Sequence, residues 1–157
     1  MIYEYNRNII KSQADIIFHQ ANCHCCQGAG LALALRREWP REWLADLATK
    51  SIPPKQKLGT FSKSIGKPTI YSLYGQLDFG RTDKPNTDYN ALHKALVAMK
   101  LDILQTQIQL SQKTNTIPVW PKVCGPKFLG AGLAGGDYKI IRNILEETFG
   151  TEPNITN

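Results

Sequence analysis

Apolar residues fall along this chain in two rhythms: short runs bounded by turn residues, and longer stretches with helical spacing. Residues 2–10 contain a short candidate strand, and "DIIFHQAN" (15–22) reads as a second. Ile16, Ile17 and Phe18 are consecutive, the mark of a strand buried on both faces. After a Cys/Gly-rich loop, "GLALALRREW" (30–39) is built of strong helix formers. Pro40 stops or kinks it, and "REWLADLATK" (41–50) resumes helical character. Residues 51–68 read as a turn-rich connection with a short strand near 60–62. "TIYSLYGQ" (69–76) is dense in β-formers and predicts the next strand. A polar loop (77–88) precedes residues 89–110, where Leu92, Leu96, Met99 and Ile103 form a helical stripe. "TIPVWPKV" (116–123) is predicted as a strand made irregular by its prolines. A Gly-rich loop then leads to residues 137–149, whose Ile140, Ile141, Ile144 and Leu145 form an apolar face closed by Gly150.

Strands alternating with helices predict an α/β fold with a largely parallel central sheet between two helical layers. At 157 residues the chain is most simply one domain spanning 1–157. Ligands of such sheets sit beyond the carboxyl ends of the strands. Two glycine loops fall there, each between a strand and a helix. One is Gly28-Ala29-Gly30, the other Gly130-Ala131-Gly132-Leu133-Ala134-Gly135-Gly136. Glycine lets backbone approach a ligand closely, and successive N–H groups before a helix form an anion site. One such loop alone would signify a tight turn. Two at equivalent positions favour phosphate. "GAGLAG" (130–135) matches the dinucleotide fingerprint, but no further strand with an acidic residue follows at the required distance. Neither loop has the Gly-Lys-Ser/Thr ending of a nucleoside triphosphatase.

Charge sharpens this picture. Nineteen Lys and Arg against thirteen Asp and Glu give +6, a balance that suits an anionic partner, although charge alone favours a merely solvated basic surface. The basic residues are scattered and no basic-aromatic module stands out, so nucleic acid is not the expected partner. No apolar run approaches the roughly 20 residues that span a bilayer, so no membrane association is expected. The opening residues lack a basic region followed by an apolar stretch, which leaves the cytoplasm as the expected compartment. Cys23, Cys25, Cys26 and Cys124 match neither a disulfide framework nor a paired C-x-x-C zinc signature. A metal or redox centre on Cys23, Cys25, Cys26, His19 and His24 is an alternative. Adjacent Cys25 and Cys26, however, cannot easily face one tetrahedral ion.

Three motifs in order, "ADIIFHQANCHCCQGAGLALAL" (14–35), "IYSLYGQLDFGRTDKPNTDYNALHKAL" (70–96) and "GAGLAGGDYKIIRNILEETF" (130–149), resemble the macro domain family, which binds ADP-ribose. The resemblance covers nearly the whole chain and implies a three-layer α/β/α domain with a mixed, largely parallel sheet. It is greatest to compact bacterial and phage-type members that process ADP-ribose or its 1″-phosphate. It implies that Asn22 reaches the distal ribose and that Gly28, Ala29 and Gly30 hold the distal ribose and pyrophosphate. Gly130, Ala131, Gly132, Leu133, Ala134, Gly135 and Gly136 would wrap the diphosphate, with Asp137 beginning the next helix. Asn8 and Ile9 match the adenine end. There Asn8 replaces the family's usual Asp and accepts without charge. Gln76 and Ala134 stand where one branch of ADP-ribosyl removers has Lys and Asp, which argues against that mechanism. The second loop is longer than usual by residues 124–129, an insertion that either lets Lys127 or Phe128 contact ligand or is simply a surface loop.

The reaction implied is hydrolysis at the distal ribose C1″, by an ADP-ribose 1″-phosphate phosphatase or a remover of ADP-ribosyl groups. A reader module without turnover is the competing class. Asn22 would orient the ribose, with His19, His24 and Gln76 as further candidates. An imidazole suits proton transfer near neutrality, whereas Gln76 can only orient water. Strand alternation places His19 on the face opposite Asn22, where a packing role competes with catalysis. Asp137 likewise competes as a helix cap. Neither a metal nor a cofactor is expected, and a monomer is the expected state.

Overall fold

The computed structural model describes residues 2–81 and 83–150, together with the backbone of 155–156. Six strands, β1 (Ile2–Tyr3), β2 (Ile16–Asn22), β3 (Phe61–Ser64), β4 (Thr69–Gln76), β5 (Val123–Cys124) and β6 (Ile155–Thr156), form one sheet. Their order is β1-β6-β5-β2-β4-β3. Only β3 runs antiparallel to its neighbour, so the sheet is mixed and largely parallel as expected. β2 and β4 pair along their whole length, with an irregularity between Ala21 and Asn22 at the carboxyl end.

Helices α1 (Gly30–Glu38), α2 (Pro40–Leu47) and α3 (Pro54–Lys57) are joined to the sheet on one side, and α4 (Tyr89–Thr114) and α5 (Tyr138–Phe149) on the other. β2 serves both layers. Ile16 and Phe18 pack with Leu92, Met99 and Phe149, while Ile17 packs with Leu35 and Ile70. The α4 stripe is fully buried at Leu92, Leu96 and Met99, each side chain contributing about 1.5–3 kcal/mol of apolar burial. Asp88 caps α4 by accepting from Ala91 N at 2.9 Å, and left-handed Asn115 ends it. Asp137 caps α5 by accepting from Lys139 N at 2.8 Å. Pro40 opens α2 as its first residue, where its missing N–H costs nothing.

Several elements differ from expectation. Residues 2–10 hold only the two-residue β1 and the start of a 3-10 turn (Ile9–Lys11). The turn-rich connection contains α3, and its strand lies at Phe61–Ser64. The strand expected over 116–123 shrinks to Val123–Cys124, because Pro118 and Pro121 donate no N–H to a ladder. Ile117 and Val119 there face solvent, at 85% and 69% exposure. β6 supplies a closing strand between β1 and β5, while residues 151–154 and 157 lie outside the described residues.

Candidate functional site

A cleft of about 620 Å³ opens beyond the carboxyl ends of β2 and β4, between the two glycine loops. The sequence-predicted residues Asn22, Gly28, Ala29, Gly30, Gly130 and Gly132 line it, as do Leu133, Ala134, His19 and Gln76. His24, Asn8, Ile9, Ala131, Gly135, Gly136 and Asp137 do not.

The first loop is shaped by Asn22. Its Nδ2 donates to Cys26 O at 2.7 Å, and its Oδ1 accepts from His24 N at 2.9 Å and Cys26 N at 3.3 Å. The amide therefore folds the loop that its own strand leads into. Gly28 follows with no atom within 4 Å of where a Cβ would stand, so its backbone is open. Ala29 is the N-cap of α1 and makes no side-chain cap bond. The N–H groups of α1's first turn thus lack a side-chain acceptor where the helix meets the cleft, which suits an anion.

The second loop closes on itself through Gly136 N to Gly130 O at 2.9 Å and Gly135 N to Gly132 O at 3.0 Å. Gly130 has φ +64, and an added Cβ would lie 2.5 Å from Gln20 Oε1. The two loops meet across the cleft, since a Cβ on Gly30 (φ +58) would lie 3.3 Å from Leu133 Cδ1. Asn86 N donates to Ala134 O at 2.8 Å, tying the 77–88 loop to the second glycine loop. That loop brings Phe79 and Arg81 to the cleft, and residues 124–129 bring Pro126, Phe128 and Leu129. Lys127 turns to Glu4, 3.6 Å away, and does not line the cleft.

Each side chain expected to assist catalysis has partners within the protein. His19 is 2% exposed, with Nε2 2.9 Å from Glu42 Oε1 and Nδ1 3.2 Å from Gln20 O. His24 sits 2.9 Å from Asp78 Oδ1, edge-on to Phe79. Gln76 accepts from Gln20 Nε2 at 2.8 Å and donates to Asp78 O at 2.8 Å. Asn8 caps the 3-10 turn by accepting from Ile10 N at 3.0 Å.

Behind the first loop lies a buried polar cluster. Gln27, 3% exposed, donates to Glu42 Oε1 at 2.9 Å and Asp46 Oδ2 at 3.1 Å, seating the residue before Gly28 between two carboxylates. Ser72 donates to the same Glu42 oxygen at 2.5 Å, and Tyr74 donates to Asp46 Oδ1 at 2.7 Å. Burial alone would raise the Glu42 carboxyl, but hydrogen bonds from His19, Ser72 and Gln27 outweigh it and hold it below the usual range. Lys57, also buried, places Nζ 3.2 Å from Cys25 Sγ and 3.8 Å from Asp46 Oδ1. The acids of α2 gave no sign of this in sequence, where an i, i+4 pair of carboxylates reads as a solvated face.

The cysteines diverge. Cys23 donates to Gln76 O, Cys25 to Asp46 O, and Cys26 is exposed. Burial pushes the Cys23 thiol up to about 11. Among the described residues, no group of three or more His, Cys, Asp or Glu side chains is arranged to hold a metal ion. Nor, among them, is any helix long and apolar enough to cross a membrane.

This architecture is the macrodomain fold. The macrodomain of Mycobacterium tuberculosis DarG superposes with TM-score 0.67 at 16% identity, covering 99% of this chain and 97% of that one. A Bacteroides thetaiotaomicron protein of unknown function gives 0.75 at 22% identity, covering 99% and 96%. Thermosipho africanus DarTG, solved in complex with ADP-ribose, gives 0.67 at 11% identity, covering 99% of this chain and 40% of that one. In sequence, an uncharacterized 17.5 kDa protein from the tk-vs intergenic region of Enterobacteria phage T4 is 27% identical over 135 residues, covering 83% of this chain and 77% of that protein. No family model matches the chain.

Proposed function

We propose that this chain binds ADP-ribose in the cleft and hydrolyses its substrate at the distal ribose C1″. The observation that carries the binding is the pairing of two glycine loops around the uncapped N-terminus of α1. A diphosphate lying there meets backbone N–H groups and the positive end of a helix dipole. The complex of Thermosipho africanus DarTG with ADP-ribose, on the same fold, supports that ligand. Asn22 acts by holding the first loop in shape, and the ribose meets the backbone that follows it.

For hydrolysis, the protein supplies orientation. A water held between the loops attacks C1″ as the bond from C1″ to the leaving oxygen breaks. Backbone donors stabilise that oxygen, and the water's proton passes to the departing phosphate or carboxylate. The substrates that fit are ADP-ribose 1″-phosphate and ADP-ribosyl esters. One observation favours a second reading, recognition without turnover: His19, His24 and Gln76 are all hydrogen-bonded to protein groups.

Calorimetry with ADP-ribose tests the pocket, and absence of binding at high micromolar ligand would refute it. Incubation with ADP-ribose 1″-phosphate and with ADP-ribosylated protein then separates enzyme from reader. In the same assays Asn22→Ala is expected to weaken binding and turnover together. Unchanged values for that variant would overturn the site.

A further inference from the structure

The charge of this protein is concentrated in one part of the fold. Residues 31–67 hold eight of the nineteen Lys and Arg but only three of the thirteen Asp and Glu. That stretch alone carries +5 of the chain's +6. It forms α1, α2, α3 and the edge strand β3, so the excess lies on one helical layer and the sheet edge beside it.

Folding sharpens the imbalance. Glu42 and Asp46 turn inward and are 1% and 0% exposed, which leaves Glu38 as the exposed carboxylate of the layer. Of the cations only Lys57 is buried with them, and Lys63 is neutralised by Asp102 at 2.7 Å. Arg36, Arg37, Arg41, Lys50, Lys55 and Lys67 remain at least partly accessible, and none has a carboxylate partner among the described residues. Two of the arginines are held in place. Arg36 lies 3.6 Å above the Trp43 ring, and Arg41 donates to the Pro68 carbonyl at the β3–β4 turn.

We propose that this layer is a nucleic-acid-binding face that grips a phosphate backbone. Six accessible cations stand against one exposed carboxylate, Glu38, so phosphates meet little internal competition on this face. The forked donors of arginine suit phosphate oxygens, and the Arg36–Trp43 stack offers a flat surface on which a base of a single strand can lie. The apolar side chains of this layer that reach solvent, Leu44, Ile52 and Ile65, are scattered along it, one on α2, one after it and one after β3. That argues against a lipid surface, which requires a continuous apolar face. Phosphate binding on this face is independent of what occupies the cleft. α1 nevertheless begins at the cleft and carries Arg36 and Arg37 in its last turn, so a strand on this face runs toward the glycine loops.

The test is fluorescence anisotropy of the whole chain with labelled single-stranded and duplex oligonucleotides at 50 and 200 mM salt. With about five phosphates engaged, single-strand affinity is expected to fall about a hundredfold across that range. Arg37→Glu/Lys55→Glu is expected to lose at least about tenfold in affinity and to flatten the log–log salt slope by about 1.4. Lys50→Glu/Lys67→Glu provides an independent pair should the first fold poorly. Lys113→Glu/Lys139→Glu, on α4 and α5 of the opposite layer, is expected to bind as the unaltered protein does. A duplex that binds as well as the single strand keeps the phosphate grip and removes the stacking role. No binding at 50 mM salt would overturn the proposal, as would an equal loss in the opposite-layer pair. So would tighter binding to phosphatidylserine vesicles or to polyglutamate than to either oligonucleotide. ADP-ribose calorimetry on the same variants reads the cleft separately, so failure of one reading does not touch the other.

Discussion

Replacing Glu42 with Gln removes one charge and almost nothing else, and the structure fixes what that charge does. Its Oε1 stands 2.9 Å from His19 Nε2 and accepts from Ser72 Oγ at 2.5 Å and Gln27 Nε2 at 2.9 Å. A hydrogen bond to a charged group is worth about 1.5–3 kcal/mol and a neutral one about 0.5–1.5, so three bonds lose about 3 kcal/mol together. Relief of the buried charge returns part of this. The sign follows from the Glu42 carboxyl lying below its ordinary 4.5 despite burial, because the fold then favours the ionised form. A net loss of about 1–3 kcal/mol is expected at pH 7, or a fall in Tm of about 2–12 °C for a chain of this size. The pH dependence discriminates further. A depressed folded pKa gives stability that is complete above 4.5 and lost as pH falls through the folded value. Urea denaturation of both proteins should therefore show a gap that is widest at pH 7 and closes under acid conditions. A gap unchanged at low pH, or a variant as stable as the parent at pH 7, would refute the reasoning. ADP-ribose affinity should fall as well, because Gln27, beside Gly28, then loses one of its two charged anchors and keeps only Asp46.

Two other perturbations read the same region. Gly130→Ala places a Cβ at φ +64 and 2.5 Å from Gln20 Oε1, so a loss of about 2–4 kcal/mol is expected by denaturant titration. Gly132→Ala, with nothing within 4 Å of the new Cβ, should keep stability within about 0.5 kcal/mol while weakening ADP-ribose in calorimetry. Alkylation with iodoacetamide at pH 8, followed by peptide mass spectrometry, should label exposed Cys26 first and Cys23 last, since burial pushes the Cys23 thiol up to about 11. Early labelling of Cys23 would mean that the β2 carboxyl end is more open than its 2% exposure implies.

What could be read from the sequence depended on whether a residue's local pattern agreed with its tertiary setting. Thr69–Gln76 is a strand from end to end because a run of β-formers also lies between two paired neighbours. The α4 stripe was legible because its helical spacing coincides with the face it buries. Ile117 and Val119 carry the same local preference but pair with no strand among the described residues, so propensity alone misplaced them. The glycine loops were visible through composition. The buried support behind the first loop was not, because Gln27, Glu42, Asp46 and Lys57 are residue types that ordinarily face water. Their burial exists only once α2 and α3 close on β2 and β4, and no periodicity along the chain encodes that meeting. The hidden inversion acts on both sides of the layer. The two carboxylates taken inside hold the loop that shapes the cleft, and their absence outside leaves the face of α1–α3 more basic than a count along the sequence suggests. Substituting either acid therefore alters the cleft's support without adding an exposed anion to that face, so cleft affinity and nucleic-acid affinity should respond separately.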